Sequence, residues 1–258
     1  MVRKSRFVVA LVLALALGVT AIAYADGTSQ NDAFVDGKVT NKKKPKLSKK
    51  KFKKVQFNTG VRTETDTLEA DGSHPDPAAE KISFGKNIKF KNGAAPVCTT
   101  VPAPGSTPAE ARAACPGKSF LGSGGAKVFT ADGPDGGTEP DPLDDEVVVS
   151  AFNGPGANQI QLHTWSAVLG PAAPTVQGFI INANEGKKYK KALSVPNAPV
   201  TPGPLMITQF DTTIEKKSGV VRARCKAKKF LWKREVTYTD GTTDTATLKQ
   251  KCKRKKKK

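Results

Sequence analysis

Lys229-Phe230-Leu231-Trp232-Lys233-Arg234-Glu235-Val236-Thr237-Tyr238, turning through Thr239-Asp240-Gly241-Thr242 into a return leg from Thr243 to Lys249, is the clearest hairpin in the chain. Its period-two alternation is that of a strand with one buried face. Asp-Gly supplies the positive φ angles that a tight hairpin turn requires.

The same period recurs upstream. It predicts strands at Val55 to Thr65, Lys81 to Phe90, Ala126 to Thr130, Glu146 to Phe152, Gln159 to Leu169, Thr175 to Ile181, Leu205 to Ile214 and Val220 to Cys225. Short strands separated by Gly, Pro, Asn and Asp predict an all-β chain. The expected form is an antiparallel β-sandwich, immunoglobulin-like or jelly-roll-like, with an open barrel as the alternative at similar spacing. One short helix is predicted from Pro108 to Ala114. Thr107 serves as its N-cap, Pro108 takes the first helical position, and Glu110 completes a capping box.

At the N-terminus Arg3, Lys4 and Arg6 precede an apolar run from Phe7 to Leu17 and small residues at Ala23 and Ala25. This is the pattern of a cleaved secretory signal over residues 1–25. Residues 26–54 then read as a flexible lysine-rich segment, 55–252 as one β-sandwich domain, and 253–258 as a polylysine tail. The Gly/Pro-rich acidic stretch from Asp132 to Pro142 reads as a surface loop, the alternative being a linker between two smaller sandwiches.

Of the 258 residues, 42 are Lys or Arg and 23 are Asp or Glu, a formal charge of +19. Loss of the leader removes three positive charges. Lys38 to Lys54 carries ten lysines and no acid, and Lys249 to Lys258 carries eight basic residues and no acid. The rest of the mature chain is therefore near neutral, and the expectation is a neutral body with two electrostatic tails. Compact ammonium groups with one interleaved aromatic, Phe52, favour non-specific attraction to polyanions over base reading. The candidate polyanion-binding residues are Lys49, Lys50, Lys51, Lys253, Arg254, Lys255, Lys256, Lys257 and Lys258. The expected partner is an anionic cell-wall polymer or polysaccharide, with no specific nucleic acid and no transmembrane segment once the signal is cleaved.

Four cysteines, Cys98, Cys115, Cys225 and Cys252, permit three pairings, and spacing alone does not choose among them. Local pairing, Cys98 with Cys115 and Cys225 with Cys252, is favoured, each loop contributing about 3 to 4 kcal/mol in the chain-entropy model. A zinc site would need close Cys-x-x-Cys spacing or a neighbouring histidine, and neither occurs.

Cys98, the run from Ala113 to Gly124 with its Cys115-Pro116-Gly117-Lys118-Ser119 step, Phe152-Asn153-Gly154, Leu162-His163-Thr164 and the segment from Tyr238 to Cys252 resemble a group of exported proteins from high-GC soil bacteria that have no assigned activity. The resemblance implies an extracellular β-rich fold and supports disulfides. It carries over no functional residue.

Catalytic chemistry is thinly supplied. There are two histidines, no nucleophile-elbow motif, and Gly117-Lys118-Ser119 lacks the first glycine of a phosphate-binding loop, Arg112 standing there. No cofactor, no metal and no enzymatic activity are expected. The acids Asp132, Asp135, Glu139, Asp141, Asp144, Asp145 and Glu146 lack EF-hand spacing. His74 reads as a turn residue. The alternative function, a secreted carbohydrate-binding or carbohydrate-active protein, rests on His163 and Trp165 sharing one strand face opposite Ile160, Leu162 and Val168, with Trp165 as an exposed aromatic, and on carboxylates that the fold would have to bring to it.

Overall fold

A computed structural model describes residues 33–41, 46–63, 77–130, 141–142, 147–173, 175–196, 205–238 and 241–254. The signal segment 1–25, His74, the side chains of the acidic stretch, and Lys255, Lys256, Lys257 and Lys258 lie outside what is described.

The strands are β1 (Ala33–Thr40), β2 (Lys53–Lys54), β3 (Gln56–Thr63), β4 (Pro77–Gly85), β5 (Ile88–Phe90), β6 (Phe120–Thr130), β7 (Asp141–Pro142), β8 (Val147–Asn153), β9 (Gln159–Trp165), β10 (Thr175–Asn182), β11 (Tyr189–Val195), β12 (Leu205–Ile214), β13 (Val221–Ala223), β14 (Lys229–Tyr238) and β15 (Thr243–Lys251). Eleven of them form one continuous path, β1-β3-β12-β6-β8-β9-β10-β11-β4-β14-β15, with β7 hung on β6. Every neighbouring pair in it is antiparallel.

Direction alternates along this path, so the first and last of eleven strands point the same way. The sheet can close only through a parallel seam. The two edges do meet: the Ala33 amide donates to Asp244 Oδ2 at 3.2 Å and the Val39 amide to Gln250 Oε1 at 3.0 Å. Donors and acceptors advance together by the same number of residues along both strands, as parallel alignment demands. Inward side chains of β15 thus hold β1 where a backbone ladder would otherwise run, and the result is a nearly closed, barrel-like sheet.

The interior is filled. Val35, Phe57, Phe84, Val149, Leu162, Trp232 and Leu248 belong to one continuous buried core drawn from all sides of the sheet. Phe57 stacks on Trp232 with ring centroids 6.3 Å apart and meets Phe84 edge-on at 5.3 Å. Arg234, 1 % exposed, also points inward; it pairs with Glu80 and donates to the carbonyls of Arg62 (3.0 Å) and Phe34 (3.4 Å) across the seam.

The all-β expectation holds, but the sandwich does not. Both architectures bury one face of every strand and so give the same alternation; whether the outer edges of a sheet meet is a property of long-range register that period two does not carry. The flexible segment expected at 26–54 is corrected in part as well. Ala33–Thr40 pairs along its whole length with β3, its inward Ala33, Val35 and Val39 hidden in sequence by the lysines that follow. Lys81 to Phe90 is two strands, broken after Gly85, and β11 has no counterpart in the sequence reading. The strands flanking Asp132 to Pro142 pair directly, Phe120 opposite Phe152, within one sheet.

The helix α1 (Pro108–Ala114) carries the expected capping box: Thr107 Oγ1 accepts from the Glu110 amide, and Glu110 Oε2 accepts from the Thr107 amide at 2.7 Å. Ala111 and the Cys98–Cys115 disulfide pack with Phe152 and Phe120. The segment between β5 and β6 therefore forms a cap on the outer face of the sheet. The second disulfide is Cys225–Cys252, so both local pairings are found. Among the described residues no helix is long and apolar enough to cross a membrane.

Candidate polyanion interface

A second, small sheet, β2-β13-β5, sits where the two lysine runs arrive. In β13 and just beyond it Val221, Ala223 and Cys225 are buried, so Arg222 and Arg224 alternate to the other face. Arg222 stands directly opposite Lys54 on one neighbour and Lys89 on the other. Phe52 receives the Lys89 ammonium 4.7 Å from its ring centroid and the Arg224 guanidinium at 4.5 Å. Three cations thus occupy one cross-strand row, with a fourth beside it. Like charges directly opposite are destabilising, so this row costs stability unless an anion covers it.

The chain ends are built into this sheet. Ser48 Oγ accepts from the amides of Lys50 (3.2 Å) and Lys51 (3.0 Å), fixing the turn that displays Lys49, Lys50 and Lys51, all exposed. The Ser48 carbonyl accepts from the Cys225 amide at 2.9 Å. Buried Leu47 donates its amide to the Lys253 carbonyl at 2.9 Å and forms a parallel bridge with Arg254. Arg254 Nε donates to the Cys225 carbonyl at 3.0 Å, and its Nη2 to that of Lys226. The Cys225–Cys252 bridge ties β13 to the end of β15.

Two runs expected as separate flexible tails therefore converge, in their described parts, on one folded end. Lys49, Lys50, Lys51 and Lys253 remain exposed. Arg254 changes role: its guanidinium is spent on backbone carbonyls, which makes it an anchor. The residues that sequence reasoning missed are Lys89, Arg222 and Arg224; Lys54 closes the first lysine run without standing among the named candidates. A signal for them existed, since the alternation in Val220-Val221-Arg222-Ala223-Arg224-Cys225 puts both arginines on one face.

Among the described residues no ion pair involves Lys54, Lys89, Arg222 or Arg224. The ion pairs lie elsewhere, Lys81 and Lys233 each meeting Glu185 and Glu235 at 2.9 to 3.1 Å, Lys217 meeting Glu215, and Arg234 meeting Glu80.

The proposed sugar-facing patch fares differently. His163 and Trp165 do share the face opposite Ile160 and Leu162, but His163 is 0 % exposed beneath the cap. Its Nε2 lies 3.0 Å from Ser106 Oγ, and Ser106 donates its own proton to the Ala103 carbonyl at 2.7 Å. The imidazole must then donate from Nε2, so it is no base toward that hydroxyl, and burial pushes its pKa down. This Ser–His contact pins the cap. No protein-family model, curated protein or solved structure matches the chain.

Proposed function

We propose that this is an exported, non-enzymatic protein of the cell envelope that binds anionic polymers through the basic end of the molecule. The observation that carries the reading is the convergence of both lysine runs on the small sheet, where the Lys54–Arg222–Lys89 row already concentrates positive charge. Two disulfides suit a chain that folds outside the reducing cytosol, and the resemblance to exported β-rich proteins points the same way. Wall polymers and acidic polysaccharides are the partners such a surface fits; nucleic acid would be held only through its backbone.

The test is binding of a labelled poly(glycerol phosphate) as a function of salt. Log affinity should fall linearly with log salt, and removing Lys255 to Lys258 should shrink that slope by up to about three. This truncation leaves the Lys253 and Arg254 anchors in place. An affinity indifferent to salt and to truncation would leave the basic end without a ligand and end the proposal.

A further inference from the structure

The geometry points to a phosphate-group site on the outer face of β2, β13 and β5, made by Arg222 and Arg224 with Lys54 and Lys89. This rests on the polyanion reading and adds the chemical class of the anionic group. Arg222 is central, with Lys54 and Lys89 opposite it on strands about 4.8 Å to either side, and Arg224 about 7 Å further along the same face. Phe52 gathers Lys89 and Arg224 against one ring, which restrains both heads over the same part of the sheet.

One donor of each arginine is also unspent. Nε of Arg222 and Nε of Arg224 are both buried, and neither has a hydrogen-bond partner among the described residues. The base of each guanidinium is thus enclosed without being used by the protein.

A carboxylate cannot satisfy such a cluster. Its two oxygens lie in one plane, carry one charge, and fill a single guanidinium fork. A terminal or monoester phosphate presents three free oxygens in tetrahedral directions and a charge approaching about −2, so it can bridge cations on adjacent strands, whereas a diester presents two oxygens and one charge. Lysine alone would give point-charge attraction; the paired arginines add directional donors.

The experiment titrates the full mature protein with tripolyphosphate and with citrate at equal ionic strength, followed by calorimetry. Tripolyphosphate should bind about tenfold more tightly than citrate. The double variant R222K/R224K keeps every charge and should erase that preference. F52A, also charge-neutral, should reduce it. If the double variant does not fold, K89Q serves instead, and it should weaken tripolyphosphate more than citrate. Glucose 6-phosphate binding as tightly as tripolyphosphate would identify the source as phosphomonoesters on glycans, and markedly weaker binding would identify polyphosphate; either supports the site. Equal affinity for tripolyphosphate and citrate, or a preference that survives R222K/R224K, overturns the inference while leaving polymer binding intact. Loss of poly(glycerol phosphate) binding alone would instead strike the broader function.

Discussion

A β-carbon placed on Gly37 would lie 2.3 Å from the Trp232 ring, so only glycine lets β1 cross the indole at that point. Gly37→Ala should therefore cost about 1 to 3 kcal/mol through overpacking, read as a lower urea midpoint with an unchanged slope. Glu185 acts through charge instead. Burial alone would raise its carboxyl, but hydrogen bonds from Ser83, Lys81 and Lys233 win and lower it to about 2 from an ordinary 4.5. A carboxylate whose folded pKa is depressed contributes stability that is complete above the unfolded value and disappears as pH falls through the folded one. The window here runs from about pH 4.5 down to about 2. Glu185→Gln should lower the melting temperature at pH 7 and leave it nearly unchanged at pH 2; equal losses at both would show that Glu185 contributes packing and not charge.

Among the elements, those whose register is local were legible and those fixed by distant contacts were not. Leu205–Ile214 and Lys229–Tyr238 match the sequence reading at both ends, because alternation and Gly-bearing turns bound them within a few residues. β1 was lost in the lysine composition around it, although Ala33, Val35 and Val39 carry the period. Neither the parallel seam nor the meeting of Leu47 with Arg254 is written in any window of sequence, since each joins opposite ends of the chain. The same argument separates the two disulfides, which look alike in sequence. Cys98–Cys115 holds a cap lying on the outside of the sheet, whereas Cys225–Cys252 holds the basic end together. Replacing Cys98 and Cys115 by Ser should cost about 3 kcal/mol and speed hydrogen exchange in α1, with polymer affinity unchanged. Replacing Cys225 and Cys252 should cost a similar amount and weaken polymer binding. Equal binding by the two variants would mean that the C-terminal run needs no fixed position.

At the scale of the whole molecule, charge and stability pull against each other, and salt exposes the conflict. The chain carries 42 basic residues against 23 acidic ones, and the described parts of both lysine runs meet at the small sheet beside the Lys54–Arg222–Lys89 row. Crowded like charges repel in the compact state and separate on unfolding, so the free protein should be stabilised as added salt screens them over a Debye length of about 8 Å at physiological strength. Binding responds in the opposite sense. The protein's cations displace condensed counterions from a polyanion into the bulk, so its affinity falls as salt rises. The melting temperature of the free protein should thus climb between low and moderate salt, while the extra stabilisation given by a fixed concentration of poly(glycerol phosphate) shrinks over the same range. Charge-neutralising K89Q should flatten the first trend, because it removes one member of the Lys54–Arg222–Lys89 row. Differential scanning calorimetry at several salt concentrations, with and without polymer, measures both. Were the free protein's melting temperature to stay level with salt in the wild type and in K89Q alike, the row would carry no repulsion worth relieving, and a bound anion would have no strain to remove.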